Sequence, residues 1–119
     1  MKKLLLIGVL LTALTSYGQT IYKHKKDFVI EKVIQNDRDL YKIVFKSHYL
    51  GLGNRAEAIW FFNEIDNAVK QKKDVGTYVG NTYINITLEH DRIKVSCHWG
   101  EFYITTRELN KILKIIKDE

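Results

Sequence analysis

The polar side chains best suited to binding or catalysis alternate with apolar ones along one stretch of the chain, from Tyr83 to Thr105. A two-residue turn at His90–Asp91 pairs apolar residues with each other on one face and polar residues on the other. A second turn at Gly100–Glu101 repeats this pattern and agrees with the first on which face is inward. The polar face then holds a row of three side chains with two smaller ones beside it: Tyr83, His98 and Tyr103, with Asn85 and Ser96.

This polar row has the composition of many recognition surfaces. Tyrosine offers a large contact area with a polar tip, and Ser and Asn side chains adapt their hydrogen bonds to a partner. The row is also consistent with an ordinary solvated sheet face, in which cross-strand pairs contribute about 0.2 to 1 kcal/mol each. The sequence leaves both interpretations open.

Catalytic and metal chemistry lack the residue sets that they require. Cys97 and His98 are neighbours on a predicted strand, so their side chains point to opposite faces and do not form a nucleophile and base. The four histidines lack zinc-ligand spacing, and the chain has no CxxC or HExxH motif. We therefore predict no catalytic residue, metal or cofactor. The alternative is a small enzyme or ligand carrier that uses His98 in a sheet-face pocket.

The first 18 residues have the features of an export signal. Lys2 and Lys3 give a positive start, Leu4 to Leu14 form an apolar run, and a small-x-small cleavage site ends at Gly18. The run is shorter than the ~20 residues that a membrane-spanning helix needs. We expect an exported protein, periplasmic or secreted, that is cleaved before Gln19 and has no transmembrane helix in its mature form.

The length of the mature part, residues 19–119, is enough for one small domain. Without Lys2 and Lys3, 17 basic residues against 14 acidic ones give a net charge of +3, well below a nucleic-acid footprint. We expect residues 19–26 to form a flexible basic N-terminus. The single cysteine, Cys97, excludes an internal disulfide, and its inward position favours a small buried hydrophobe.

Two strands are predicted before the first helix. Residues 27–35 and 40–49 alternate apolar and polar side chains, and the turn cluster 36–39 joins them. Pairing Ile30 with Phe45, and Ile34 with Tyr41, gathers the apolar side chains on one face.

Two helices are predicted from their capping boxes and apolar stripes. The first runs from Arg55 to about Lys73, after Asn54 with Glu57 three residues on. The second begins near Thr106, and a short strand around Tyr78 leads into the central stretch. The order ββα(β)βββα predicts an α+β fold with an antiparallel sheet, made of a ββ hairpin and a three- or four-stranded meander. Both helices are expected to pack on one face of this sheet.

Trp60 is the exception to the pattern of the first helix. Helical spacing places it on the same side as Asn63, Glu64 and Asn67, where no core requires a large apolar side chain. A tryptophan in this position either folds back onto the core or anchors a partner, because Trp is over-represented among binding hot spots.

These features predict an exported, non-enzymatic binding or interaction domain that acts in the cell envelope or outside the cell. It would engage a protein or envelope component through the polar row and Trp60, and no nucleic acid. A third alternative is an anionic-surface binder that uses the basic N-terminus and the last helix. An unprotected sheet edge is also compatible with a homodimer.

Overall fold

The computed structural model describes residues 18–24, 27–98 and 100–119. These residues form an α+β fold with antiparallel sheets and two helices, which confirms the predicted fold class. Apart from Gly18, the predicted export signal lies outside the described residues, as do Lys25, Lys26 and Trp99. The strands are β1 (Gly18–His24), β2 (Phe28–Gln35), β3 (Arg38–Phe45), β4 (His48–Gly53), β5 (Val75–Val79), β6 (Thr82–Leu88), β7 (Ile93–Cys97) and β8 (Gly100–Ile104), and the helices are α1 (Arg55–Gln71) and α2 (Thr106–Asp118).

The strands form two sheets rather than the single sheet that the sequence predicted. The first sheet has the order β1-β2-β3-β4 and the second the order β5-β6-β7-β8, so strands pair with their neighbours in the chain. Phe102 of the second sheet packs against Phe28 and Phe45 of the first, with ring centroids 4.8 and 5.4 Å apart. The two apolar faces therefore share one core, and α1 contacts both sheets.

The turn between β2 and β3 is tighter than predicted. Only the pair Asn36–Asp37 forms it, with φ angles of 53° and 62° that match a type I′ hairpin turn. Ile30 consequently pairs with Ile43 rather than with Phe45, a register shift of two residues. Because side chains alternate with a period of two, the predicted apolar face stays inward, although its outermost member, Ile34, is 57% exposed.

Both edge strands of the first sheet differ from the prediction. A turn at Lys46 and Ser47 divides the predicted strand 40–49, and β4 begins at His48. Lys46 has a φ of 55°, a conformation that lysine rarely adopts and that no turn signal in the sequence indicates. Residues 18–24 pair with β2 as the edge strand β1, whereas the sequence predicted a flexible N-terminus over residues 19–26.

The central hairpin of the second sheet is as predicted. Its turn is closed by the Glu89 N–H, which donates to the Arg92 carbonyl at 2.9 Å. The short strand before this hairpin is confirmed as β5, and its turn at Gly80–Asn81 gives Gly80 a φ of 62°. The paired residues of β6 and β7 are Asn85–Ser96, Ile86–Val95, Thr87–Lys94 and Leu88–Ile93.

The last hairpin keeps the predicted faces but has a different register. Cys97 pairs with Gly100, so the turn begins at residue 98 instead of residue 100. Phe102 pairs with Val95, four residues from its predicted partner, Trp99. A slip of four residues leaves each inward side chain inward, and Phe102 is 1% exposed. Cys97 packs partly buried against the core.

Both helices begin at their predicted capping boxes. The Asn54 side chain accepts the Glu57 N–H at 2.9 Å, and the Glu57 carboxylate accepts the Asn54 N–H at 2.9 Å. Thr105 and Glu108 make the same exchange before α2. At its end, α1 is closed by Lys72 in the left-handed region, with a φ of 54°. The apolar stripe predicted for α2 is buried and consists of Leu109, Ile112, Leu113 and Ile116.

The start of α1 caps the end of α2. Arg55 Nε donates to the Ile116 carbonyl at 2.9 Å, and Arg55 Nη2 donates to the Lys117 carbonyl. The last carbonyls of a helix have no partner within the helix, so Arg55 satisfies groups that would otherwise need water. No helix among the described residues is long and apolar enough to cross a membrane.

Candidate functional site

The structure does not form the predicted row of Tyr83, His98 and Tyr103. Tyr103 pairs with Lys94 because of the shifted register of β8, and Tyr83 pairs with Tyr78 across the β5–β6 hairpin. His98 lies exposed in the turn after β7. The three side chains of the predicted row therefore occupy separate parts of the second sheet.

The two smaller residues of the row, Asn85 and Ser96, face each other on β6 and β7 as predicted. Ser96 also pairs with Glu101 on β8, so a polar line crosses three strands. This line separates Tyr83 from Tyr103 on the polar face, because it lies between their register positions. The predicted polar face is therefore present, but Tyr83 and Tyr103 lie on opposite sides of this polar line.

Tyr103 belongs to a network of side chains that satisfy one another. Its hydroxyl donates to Glu101 Oε2 at 2.5 Å, and the Arg92 guanidinium lies 3.9 Å from the centre of its ring. Arg92 Nε donates in turn to Glu89 Oε1 at 2.9 Å. The network links β8 to the turn between β6 and β7, and each cation or phenol in it is bound to a carboxylate.

These hydrogen bonds shift the pKa values of two groups in the network. The bond to Glu101 raises the pKa of the Tyr103 phenol, and the bond to Glu89 raises the pKa of the Arg92 guanidinium. At neutral pH, Tyr103 is therefore a neutral phenol and Arg92 a cation. The network thus holds the Tyr103 hydroxyl and the Arg92 guanidinium against carboxylates on the polar face.

A second group of aromatic side chains lies at and beside the β5–β6 hairpin. Trp60 of α1, Tyr78 of β5 and Tyr83 of β6 are 46%, 64% and 47% exposed, and we refer to them as the aromatic edge. The rings of Tyr78 and Tyr83 pack edge to face, with centroids 5.1 Å apart. Trp60 and Tyr78 line one groove of about 360 Å³. Large aromatic surfaces exposed together are uncommon on a protein without a partner.

Local sequence features place each ring of the aromatic edge. The two-residue turn at Gly80–Asn81 sets Tyr78 directly opposite Tyr83. A Cβ atom at Gly76 would lie 1.9 Å from the Tyr83 hydroxyl, so that ring extends over a position without a side chain. Helical spacing places Trp60 outside the buried stripe of α1, as the sequence predicted.

The groove of the aromatic edge has an acidic wall at Glu57. Its carboxylate is held by the capping box, where Oε1 accepts the Asn54 N–H. Gly53, with a φ of 92°, allows this approach, because a Cβ atom there would lie 2.4 Å from Oε1. The remaining walls come from residues on α1, β4 and the β5–β6 hairpin: Leu52, Ala56, Trp60, Tyr78, Val79 and Gly80.

No protein-family model, curated protein or solved structure matches this chain. Within the described ranges, no group of three or more His, Cys, Asp or Glu residues could hold a metal ion. The groove beside the aromatic edge presents the side chains of Trp60 and Tyr78, the Glu57 carboxylate and residues of the β5–β6 hairpin.

His24 forms a separate polar cluster that joins β1 to α2. Its Nε2 lies 2.5 Å from Glu108 Oε2, and its ring stacks on Phe28 with centroids 5.2 Å apart. Its Nδ1 is 3.9 Å from Asp27 Oδ2, beyond hydrogen-bond distance, and has no hydrogen bond within the part of the chain that the structure describes. Asp27 accepts the Tyr103 N–H at 3.1 Å. Through these contacts the cluster connects β1 and β8 to the start of α2.

Two other cavities lie away from the aromatic edge. One of about 290 Å³ is on the outer face of the first sheet, beside Leu40 and Tyr49. The other, of about 240 Å³, lies at the turn that contains His90. His98 lines none of these three cavities, so the geometry gives no specific support to a ligand carrier built around it.

Tyr78 is the residue of the aromatic edge that the sequence reasoning missed. The sequence did contain a signal for it, because a two-residue turn at Gly80–Asn81 sets positions 78 and 83 opposite each other. The approach of Trp60 to the same groove had no such signal, since it depends on how α1 packs beside β5.

Proposed function

We propose that this chain is a non-enzymatic binding domain, exported to the periplasm or outside the cell, that captures a protein or envelope component through the aromatic edge. The observation that carries the proposal is the joint exposure of Trp60, Tyr78 and Tyr83, of which Trp60 and Tyr78 line one groove and Tyr83 packs against Tyr78. Trp and Tyr concentrate binding free energy in interfaces, because they bury a large area at a small cost in conformational entropy.

Export is supported by the features of the first 18 residues, with two lysines before an apolar run and small residues at its end. The full chain, expressed in a bacterial host, is expected to appear outside the cytoplasm with Gln19 as its first residue, as read by mass spectrometry. A variant with Leu5→Arg and Leu10→Arg should stay in the cytoplasm uncleaved. Retention of the unaltered chain in the cytoplasm would refute the export part of the proposal.

Capture is tested with the processed protein as bait and an envelope fraction as prey. After chemical cross-linking, quantitative mass spectrometry compares the unaltered protein with Trp60→Ala and Tyr78→Ala variants. We expect at least one protein or envelope component to be depleted about tenfold or more with each variant, because truncation of a hot-spot side chain costs about 2 kcal/mol.

The control for this experiment is Tyr49→Ala. Tyr49 is 62% exposed, belongs to the first sheet and does not line the groove, so its removal deletes an accessible ring outside the aromatic edge. Captured components that are depleted equally by Tyr49→Ala are attributed to nonspecific binding to exposed aromatic side chains. A capture profile that is unchanged by Trp60→Ala and Tyr78→Ala would refute the binding role of the aromatic edge.

The exposed face of α2 supports a second candidate, the anionic-surface binder. Arg107, Lys111 and Lys114 are exposed and lie opposite the buried stripe of α2, with Lys117 beside them. None of these four cations forms an ion pair with a residue in the described part of the chain. In the described part of the basic N-terminus, Lys23 is exposed on β1.

Flotation with lipid vesicles tests this candidate. Vesicles that contain phosphatidylglycerol should bind the protein, pure phosphatidylcholine vesicles should not, and added salt should weaken the binding. A Lys111→Gln and Lys114→Gln variant should lose about fivefold in affinity per cation removed. Equal binding to both kinds of vesicle would exclude the candidate.

A further inference from the structure

The strand β5 ends the second sheet with a line of main-chain groups that no other described strand pairs with. The two-residue turn makes Val79 and Thr82 a hydrogen-bonded pair of β5 and β6. Antiparallel strands alternate such pairs, so Gly76 and Tyr78 direct their N–H and C=O groups away from β6. These groups repeat every ~7 Å, a spacing that another extended strand matches.

The other three edge strands, β1, β4 and β8, have features that hinder the addition of another strand, and β5 has none of these features. Strand β1 has a register shift between Thr20 and Tyr22 and carries Lys23. Strand β4 has a register shift against β3, and on β8 the Tyr103 N–H is taken by the Asp27 carboxylate. Register shifts and charged side chains are the common protections of edge strands. By contrast, β5 is regular, uncharged and free of proline.

The groove beside β5 is complementary in charge to a cationic side chain. Of the described residues that line it, only Glu57 is charged. The capping box holds Glu57 through Oε1, and no hydrogen bond or ion pair with a described residue engages Oε2. The ring faces of Trp60 and Tyr78 attract cations and accommodate the methylene stem of a Lys or Arg side chain.

We infer that β5 is the docking site of an extended peptide segment that carries a Lys or Arg side chain. The segment adds to the second sheet as a fifth strand and places its cation beside Trp60 and Glu57. This inference rests on the proposed function and names the class of its partner. A second copy of the chain that pairs through its own β5 fits less well, because β5 has no cation to place beside Glu57.

An NMR titration of the isotopically labelled, processed protein tests this inference. The probe is the synthetic peptide acetyl-Thr-Val-Thr-Lys-Thr-Val-Thr-amide. One matched peptide has Glu in place of Lys, and another carries N-methyl groups on alternate amides that face β5. We expect shifts at the amides of Gly76 and Tyr78 and at the Trp60 indole. Each matched peptide should bind about tenfold more weakly, because it lacks the charge pairing or the main-chain hydrogen bonds.

Variants of the protein separate the charge from the fold. Glu57→Gln keeps the capping box, because a Gln side chain serves at that position, and removes only the negative charge. We expect it to reduce the preference for the Lys peptide over the Glu peptide from about tenfold to about twofold. Trp60→Ala should weaken binding of the Lys peptide about tenfold, whereas Tyr49→Ala should leave it unchanged.

Three results would overturn the inference. Equal binding of the three peptides would show that neither a strand nor a cation is recognised. Self-association in sedimentation experiments that Tyr78→Ala disrupts would assign the edge to a second copy of the chain. Unshifted amides at Gly76 and Tyr78, together with envelope capture that still depends on Trp60, would remove the strand inference and leave the proposed function intact. Peptide binding without any envelope capture would instead refute the proposed function.

Discussion

At the scale of single residues, the Tyr83 side chain extends across β5 at Gly76, where that strand has no side chain. Its hydroxyl lies over Gly76, and its ring packs against Tyr78. Tyr78 also lines the groove beside Trp60, so the packed pair of tyrosines lies next to this groove. One glycine therefore sets the direction of a tyrosine that belongs to another strand.

The Gly76→Ala variant tests this relation. The new methyl group would displace the end of the Tyr83 side chain, which is free to move into solvent, so we expect the free energy of unfolding to change by only about 1 kcal/mol. The ring-current shifts between Tyr78 and Tyr83 should nevertheless be lost in NMR spectra. Gly51→Ala is the matched control, because a Cβ atom there meets nothing within 4 Å. Unchanged tyrosine shifts in Gly76→Ala would contradict the geometry.

The burial of Tyr41 predicts how the stability of the folded protein changes at alkaline pH. Burial raises the pKa of Tyr41 above its ordinary value of 10.0, and the nearby Lys32 ammonium opposes this shift without cancelling it. The unfolded chain therefore loses this proton first as the pH rises. The stability that Tyr41 contributes is complete below about pH 10 and falls above that value.

The measurement is the free energy of unfolding between pH 8 and pH 11, by denaturant titration. Tyr41→Phe should show a shallower decline above about pH 10 than the unaltered protein, because Phe has no proton to lose. Tyr49→Phe, which removes an exposed phenol, should follow the unaltered protein. A steeper decline for Tyr41→Phe would contradict the direction of the shift.

At the scale of elements, the capping boxes and turns define where helices and strands begin. Both helices start where their capping residues predict, because a cap is a contact between residues three apart in the chain. Strand registers were harder to predict. The sequence placed four residues in the β2–β3 turn, and the positive φ angles of Asn36 and Asp37 allow two to suffice.

The Arg55→Met variant tests the contact between the two helices. It removes two hydrogen bonds from a guanidinium to the carbonyls of Ile116 and Lys117, so we expect a loss of about 1 to 2 kcal/mol in the free energy of unfolding. Amide exchange in the last turn of α2 should accelerate. Lys114→Met is the control, because it removes an exposed cation of the same helix without such contacts. Equal effects of both variants would refute the capping role of Arg55.

At the scale of the whole molecule, Phe102 holds the two sheets together. Its ring contacts Phe28 and Phe45 of the first sheet, and a Cβ atom at Gly100 would lie 3.0 Å from the Phe45 ring. The close approach of these residues joins two meanders that share no strand. An α+β domain of this size gains its stability from one common core.

Phe102→Ala should therefore destabilise both sheets together. We expect a loss of about 3 to 5 kcal/mol in the free energy of unfolding, because a cavity forms between the sheets. Phe102→Leu, which keeps most of the apolar volume, should cost less and preserve a folded protein for comparison. Denaturant titrations followed by tryptophan fluorescence and by circular dichroism should coincide. Separate transitions for the two signals would mean that the domain does not unfold as one cooperative unit.

The amino-acid sequence by itself determined the local properties of this protein: the two capped helices, most of the strands and the face of each strand that is buried. These follow from contacts between residues close in the chain and from the two-residue period of a strand. Register shifts of two or four residues keep the same faces buried, so alternation cannot distinguish between them. The tertiary structure alone decided the register of the β7–β8 hairpin, the division into two sheets and the position of Trp60 in the same groove as Tyr78. Each of these depends on packing between distant segments.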